Sequence, residues 1–280
     1  MIYIKKFMKY TVLGFKGFIG NEFVKYLEKK GYECFTPEIR EINLDKLNLG
    51  HVIYSAGVPN FMERPYDAVD AHVCRLKEIL QNSNFESLTY FSGGRVYNKM
   101  ETTNEEDDLI LNPLDKNDLY GISKIMGESL CIASENPHVR IVRLTNVTGN
   151  AFTSPLFLPS IIRDSISKNK IKVFTSLSSK KDYVYIDDVL ELIPKIALYG
   201  KNKIYNVASG KNIESGKLIE KISEITSCDV EVDPKSKEYS FPETSIKKIE
   251  DEFDFKPTNV LDKIEYMVGE FRKYLEKNNY

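Results

Sequence analysis

The feature that most constrains this chain is a glycine string. Gly14, Gly17 and Gly20 stand between a short apolar run and an amphipathic one. Tyr10-Thr11-Val12-Leu13 reads as a buried strand. Over residues 19–30, Ile19, Phe23 and Leu27 recur at every fourth position with Val24 beside them, which is the stripe of a helix; Gly31 then stops it. Strand, tight turn and helix in that order open a parallel βαβ unit. Small residues at the turn let the backbone approach a pyrophosphate closely. The helix N-terminus adds free N–H groups and the positive end of its dipole. Gly14, Gly17, Phe18, Ile19 and Gly20 are therefore candidate coenzyme contacts. An isolated glycine string is equally an ordinary strand-to-helix turn; its place in a βαβ unit is what favours a dinucleotide.

The same alternation continues downstream. Residues 33–36 and 51–55 read as strands, the second ending in Ala56-Gly57. A helix is predicted over 66–81, with Val73, Leu76 and Leu80 on one face. The strand at 88–91 ends in Ser92-Gly93-Gly94, and the acidic stretch 101–118 reads as a surface loop. A helix carrying Tyr120 runs to about 134, and a strand comes after it at 139–144. Further on come a helix within 155–168, a strand at 183–185, a helix opening at Ile186 and a strand at 204–207 closed by Gly210. The last helix has Leu261, Ile264, Val268, Phe271 and Leu275 at three-four spacing, a docking stripe. The pattern predicts an α/β fold: a parallel sheet with helices on both faces.

Composition narrows the function classes. A 280-residue chain that is 42% hydrophobic can bury one large α/β core or two small ones. A formal charge of −2 gives no sign of a nucleic-acid partner. No apolar run approaches the roughly 20 residues needed to span a bilayer, so no membrane is expected. Residues 1–7 read as an extension outside the fold, without a signal-peptide core. Cys34, Cys74, Cys131 and Cys228 fit neither a zinc site nor a redox pair; each has apolar neighbours and is expected to be a buried free thiol, which suits the cytoplasm. His51, His72 and His138 are scattered, so no metal site is expected.

Chemistry enters at Asp118-Leu119-Tyr120-Gly121-Ile122-Ser123-Lys124. Tyr120 and Lys124, four apart, share one face of a helix. A fixed ammonium beside a phenol stabilises the phenolate. The expectation is a tyrosine pKa drawn from about 10 toward neutrality, making a usable proton donor and acceptor. Such pairs also occur on ordinary solvated faces; the glycine string upstream favours the catalytic reading.

Glycines spaced as GxxGxxG together with YxxxK resemble the extended short-chain dehydrogenase/reductase family, the nucleotide-sugar epimerases, dehydratases and reductases. Further matches run along nearly the whole chain. His51 to Gly57 is similar to the family strand that passes under the coenzyme, which adds Ser55, Ala56 and Gly57 to the coenzyme contacts. Ser92-Gly93-Gly94-Arg95-Val96-Tyr97 resembles the active-site strand end. Arg143 to Gly149 resembles the RxxNxxG segment, Lys181 to Val189 the RDxxxVxD segment, and Phe253 to Pro257 the C-terminal LGxxP turn.

The resemblance implies a Rossmann-type doubly wound sheet in residues 1–150 and a small, non-contiguous substrate domain in 151–280, with 186–210 returning to the first. It implies NAD, or NADP, as coenzyme. It gives Tyr120 the acid/base role and has Lys124 hold the nicotinamide ribose. The family hydroxyl falls at position 93, here Gly93; Ser92, one place earlier, is the candidate replacement. Asn146 and Lys181 match positions facing the substrate diphosphate, with strand-end turn residue and solvated loop lysine as the alternatives. Glu38, as an acid on the ribose hydroxyls, favours NAD; Arg40, meeting a 2′-phosphate, favours NADP. Where 4,6-dehydratases carry an Asp-Glu pair, this chain has Gly94 and Arg95, so dehydration is disfavoured. Ketosugar reduction, hydroxyl oxidation or epimerisation through a keto intermediate remain, in a cytoplasmic homodimer serving polysaccharide synthesis. A catalytically silent dinucleotide-binding sensor or scaffold is the alternative, and a reductase of a non-nucleotide carbonyl compound a weaker third.

Overall fold

The computed structural model describes residues 8–40, 43 and 46–278. The expected extension at 1–7 and part of the stretch holding the coenzyme-selecting residues lie outside them. The chain opens with β1 (Lys9–Leu13), α1 (Phe18–Lys29), β2 (Glu33–Phe35) and β3 (His51–Tyr54). Next come α2 (Pro65–Val69), a π turn (Asp70–Cys74) and α3 (Arg75–Asn82). After β4 (Ser87–Gly93), α4 (Leu119–Ala133) and β5 (Val139–Leu144) come β6 (Asn146–Thr148), α5 (Phe157–Ser167), β7 (Lys170–Thr175) and β8 (Lys180–Tyr185). The chain continues through α6 (Ile186–Tyr199), β9 (Ile204–Val207), β10 (Asn212–Glu214), α7 (Ser215–Thr226), β11 (Asp229–Lys237), α8 (Lys247–Phe253) and α9 (Ile264–Lys277).

Six strands form one parallel sheet in the order β2-β1-β3-β4-β5-β9. From β1 the chain steps outward to β2, then returns to place β3 on the other side. That reversal opens a crevice past the C-terminal ends of β1 and β3, the place where open α/β sheets bind ligands. Alternate strand residues serve opposite faces. Val12, Ile53, Phe91 and Val142 pack with Phe23 and Leu27 of α1 and with Ile193 and Ile196 of α6. Leu13, Val52, Tyr54, Leu88 and Tyr90 pack with Leu76 and Ile79 of α3 and with Cys131 of α4. A fully buried side chain such as Phe23 contributes roughly 1.5–3 kcal/mol over leaving it exposed.

Two smaller sheets stand outside this one. Strands β10, β8 and β6 form a three-stranded sheet, and β7 pairs in parallel with β11. The last helix buries Ile264, Met267, Val268, Phe271 and Leu275, and the ring of Phe152 meets Phe271 edge-on at 4.9 Å. The docking stripe read from spacing is thus a packed face.

Three local expectations need correction. The predicted helix over 66–81 is interrupted by the π turn, whose extra residue rotates α3 relative to α2. Leu76 and Ile79 become the buried pair, Val73 and Leu80 are half-buried, and Cys74 faces solvent instead of being a buried thiol; Cys34 is half-buried. The acidic stretch 101–118 is only partly a surface loop. Thr103 and Glu105 are buried, because they satisfy backbone groups elsewhere in the chain. The Thr103 hydroxyl donates to Glu243 O at 2.9 Å and accepts from Ser245 N at 2.8 Å, while Asn206 N donates to Glu105 Oε1 at 2.9 Å. Asp118, also buried, accepts from Lys99 Nζ at 2.6 Å and Asn112 N at 2.7 Å.

Candidate active site

The glycine string and the end of β3 meet in the crevice. Gly14 has φ of +90°, and a Cβ there would lie 2.6 Å from Ala56 N and 2.7 Å from Ala56 Cα. A Cβ on Gly20 would lie 2.4 Å from Gly14 O. Both positions are closed to any side chain by backbone. Ser55 Oγ donates to Leu13 O at 2.8 Å and pins the two strand ends together. Helix α1 starts at its N-cap Gly17 with no side-chain cap and no acid in its first turn. Its first intrahelical bond is Asn21 N–H to Gly17 O at 2.9 Å, so the N–H groups of Phe18 and Ile19 stay free of it. An uncapped helix start beside a turn whose Gly14, Gly17 and Gly20 carry no side chain fits a pyrophosphate. Glu38 pairs with Lys16 of the glycine turn, and Arg40 NH2 lies 3.6 Å from Asp67 Oδ1.

Tyr120 and Lys124 lie one turn apart near the start of α4. Tyr120 lines a cavity of about 340 Å³ with Gly93, Arg95, Asn146, Lys181 and Phe241 among its walls. Lys124 is buried. Its Nζ donates to Phe91 O at 2.8 Å and stands 5.8 Å from the centre of the Tyr120 ring. Burial pushes the Tyr120 phenol up to about 12, with Arg95 opposing the rise. Burial also pulls Lys124 down to about 7, against the pull of Glu128. The expected fall of the tyrosine pKa toward neutrality is therefore corrected. Desolvation outweighs the charge of Arg95 at the half-buried phenol and that of Glu128 at the buried amine, and an amine only partly protonated at pH 7 gives a phenolate little charge to lean on.

This predicts a stability profile. Between about pH 7 and the ordinary lysine range, Lys124 is neutral when folded and protonated when unfolded. The unfolded state binds more protons there, so this group makes stability rise with pH across that window. In urea titrations at pH 7 and pH 9, Lys124→Met is expected to show a smaller gain with pH than the parent chain. An identical gain in both proteins contradicts the assignment.

Sequence reasoning missed His72, whose position shows no motif spacing, although it lies four positions from both Ala68 and Leu76 on the buried face. Its ring is fully buried and meets Tyr120 edge-on at 5.4 Å. Ser123 Oγ donates its one hydrogen to Tyr120 O at 2.9 Å, so the 2.9 Å contact with His72 Nδ1 makes Nδ1–H the donor. His72 Nε2 is then a bare acceptor, buried and without a partner among the described residues. Burial first, then Lys124, pushes the imidazole pKa down to about 2, which keeps the ring neutral. A Cβ on Gly57 would lie 3.6 Å from that Nε2 and 3.9 Å from Lys124 Nζ, so both nitrogens face the turn after β3.

At the end of β4, a Cβ on Gly93 would lie 3.1 Å from Tyr120 Oη. Position 93, not 92, faces the phenol. Ser92 is buried, has no hydrogen-bond partner among the described residues and is not among the cavity walls, so the structure does not bring it to Tyr120 as expected of a replacement hydroxyl. Strand alternation is the reason: one residue's slip turns the side chain to the other face, and the two glycines do not undo it. Asn146 Nδ2 donates to Asp182 O at 2.7 Å. Lys181 lies on β8, half-buried, with Nζ 5.7 Å from the centre of the Phe241 ring, which removes the solvated-loop alternative. Burial, then Arg95, lowers its pKa. Among the described residues there is no group of three or more His, Cys, Asp or Glu able to hold a metal, and no helix long and apolar enough to cross a membrane.

A doubly wound parallel sheet with a glycine turn at its switch point, and a Tyr–Lys pair at the rim, defines the Rossmann-type dinucleotide enzymes of the short-chain dehydrogenase/reductase kind. Residues 10–208 match the model of the NAD dependent epimerase/dehydratase family, and the chain belongs to that family. The dTDP-4-dehydro-6-deoxyglucose reductase of Escherichia coli is 32% identical over 168 residues, 55% of this chain and 50% of that protein. The chain thus spans about half the length of this curated relative. Among solved structures, MoeE5 in complex with UDP-glucose and NAD superimposes with a TM-score of 0.79 at 16% identity, covering 96% of this chain and 99% of its own. RMD from Pseudomonas aeruginosa complexed with NADPH gives 0.75 at 20% identity, covering 95% and 99%.

Proposed function

We propose that this protein is an oxidoreductase or epimerase that uses NAD(P) to act on a nucleotide sugar. The observation that carries the reading is one cavity whose walls hold Tyr120 together with Asn146 and Lys181. When bound, the nicotinamide supplies hydride exchange with a substrate carbon. Tyr120 moves the proton at the oxygen of that carbon, and Lys124 orients the neighbouring ribose. Gly14, Gly17, Phe18, Ile19 and Gly20 hold the pyrophosphate, and Ser55, Ala56 and Gly57 line the other side of the crevice. Lys181 and Asn146 hold the sugar diphosphate; Lys181 brings a charge without the fork of an arginine. Gly93 leaves room beside the phenol for the sugar ring. Residues 151–280, except 186–210, form the substrate-binding part.

Arg40 is engaged by Asp67, so a 2′-phosphate must displace an ion pair, which supports NAD. Gly94 and Arg95 supply no acid for elimination, which supports reduction, oxidation or epimerisation over dehydration. Met126 and Ile132, exposed on α4, support a homodimer joined through that helix. The absent hydroxyl at Gly93 favours one second reading, a silent coenzyme sensor. Incubating the purified chain with NAD or NADPH and a panel of nucleotide sugars, while monitoring reduced-coenzyme absorbance and resolving substrate from epimeric product by chromatography, separates the two. Turnover with any member supports the enzyme; coenzyme binding with no turnover across the panel supports the sensor.

A further inference from the structure

Two cations line the cavity, and neither has an anionic partner among the described residues. The Arg95 guanidinium carbon stands 5.2 Å from the centre of the Phe61 ring, and that ring is 5.5 Å from the Tyr120 ring. Arg95 thus lies against an aromatic ring next to the phenol, and its guanidinium has no hydrogen-bond partner among the described residues. Lys181 rests in the same way on Phe241. The one carboxylate among the walls, Asp182, is occupied. It accepts from Thr145 Oγ1 at 2.7 Å, Ser209 N at 2.9 Å and Ser209 Oγ at 3.0 Å. The charge of Arg95 reaches both neighbours, favouring ionisation of Tyr120 and opposing protonation of Lys181.

Lys181, half-buried, and Arg95, exposed, are like charges on one cavity, and an anionic ligand group between them is attracted by both. A diphosphate held by Lys181 and Asn146 satisfies one end. It leaves Arg95, beside Phe61 and through it near Tyr120, to meet the sugar ring. A guanidinium presents a planar fork, which matches a carboxylate through two parallel hydrogen bonds.

Building on the nucleotide-sugar reading, we propose that Arg95 is a specificity-determining residue that receives a carboxylate on the sugar ring. The substrate is then an acidic, uronate-type nucleotide sugar and not a neutral hexose.

Calorimetric titration of the full chain in the presence of NAD tests this. The ligands are matched pairs, UDP-glucose with UDP-glucuronate, dTDP-glucose with dTDP-glucuronate and GDP-mannose with GDP-mannuronate, plus free UDP, dTDP, CDP and GDP. The parent chain is expected to bind the uronate of one pair roughly ten- to a hundredfold tighter than its hexose, the range a charge-assisted bidentate contact supplies. In Arg95→Gln that ratio falls to about one, and Arg95→Lys retains only part of it. A parent ratio of one overturns the proposal, as does a ratio that survives in Arg95→Gln. A uniform loss for uronate, hexose and free diphosphate overturns it too, because Arg95 is then a phosphate clamp. Failure of every nucleotide and nucleotide sugar to bind removes the underlying reading and this one with it. Equal binding of hexose and uronate removes the carboxylate assignment alone.

Discussion

Tyr120→Phe lowers turnover by roughly 10²–10⁴-fold while coenzyme still binds, the range expected when a positioned proton donor is removed. The change deletes one oxygen and keeps the ring. Its packing against Phe61, at 5.5 Å between centres, and against His72, at 5.4 Å, is preserved. Among the described residues Tyr120 Oη has no hydrogen-bond partner whose loss would leave a buried group stranded, so stability changes little. Single-turnover absorbance of the reduced coenzyme measures the chemical step, and fluorescence titration measures coenzyme affinity. Full turnover in the Phe variant ends the acid/base assignment. Loss of coenzyme binding together with turnover points to a structural effect instead.

Gly14→Ala is expected to cost about 2–4 kcal/mol of stability, combining left-handed strain with overpacking, and to weaken coenzyme binding. The residue has φ of +90°, and the new Cβ meets the Ala56 backbone at 2.6 Å. Backbone cannot rotate away as a side-chain tip does, so the ends of β1 and β3 must part, and that is where the crevice lies. Gly17→Ala is the control. At φ −75° and ψ 162° its backbone suits any residue, and its nearest contact is Gly14 O at 3.4 Å. It should cost under about 1 kcal/mol. Urea denaturation of both variants checks the contrast. Equal midpoints for Gly14→Ala and the parent chain refute the steric account.

Much of the layout was legible because it rests on local pattern. The four-residue recurrence in α1, the apolar runs of β3, β4 and β5, and the glycines that end elements each act over a few residues. The three-four stripe of α9 is of the same kind. Motif spacing also brought Tyr120 and Lys124 to one helix face, since i and i+4 meet on any helix. Ser92 was misplaced for the complementary reason. Which of two adjacent residues faces the phenol depends on the twist at a strand end and on where α4 lies, and neither is written in the spacing.

By itself, the order of residues determined the alternating strands and helices, the turn that only glycine fills, and the Tyr–Lys face. All are set by backbone sterics and side-chain periodicity within a single element. Only tertiary packing decided that His72 meets Tyr120, that Cys74 turns outward, and that Thr103 and Glu105 are buried under partners about a hundred or more positions away. It also decided that Tyr120 rises to about 12 and Lys124 falls to about 7. Those outcomes depend on desolvation and on neighbours distant in sequence, and such quantities exist only once the layers have closed on one another.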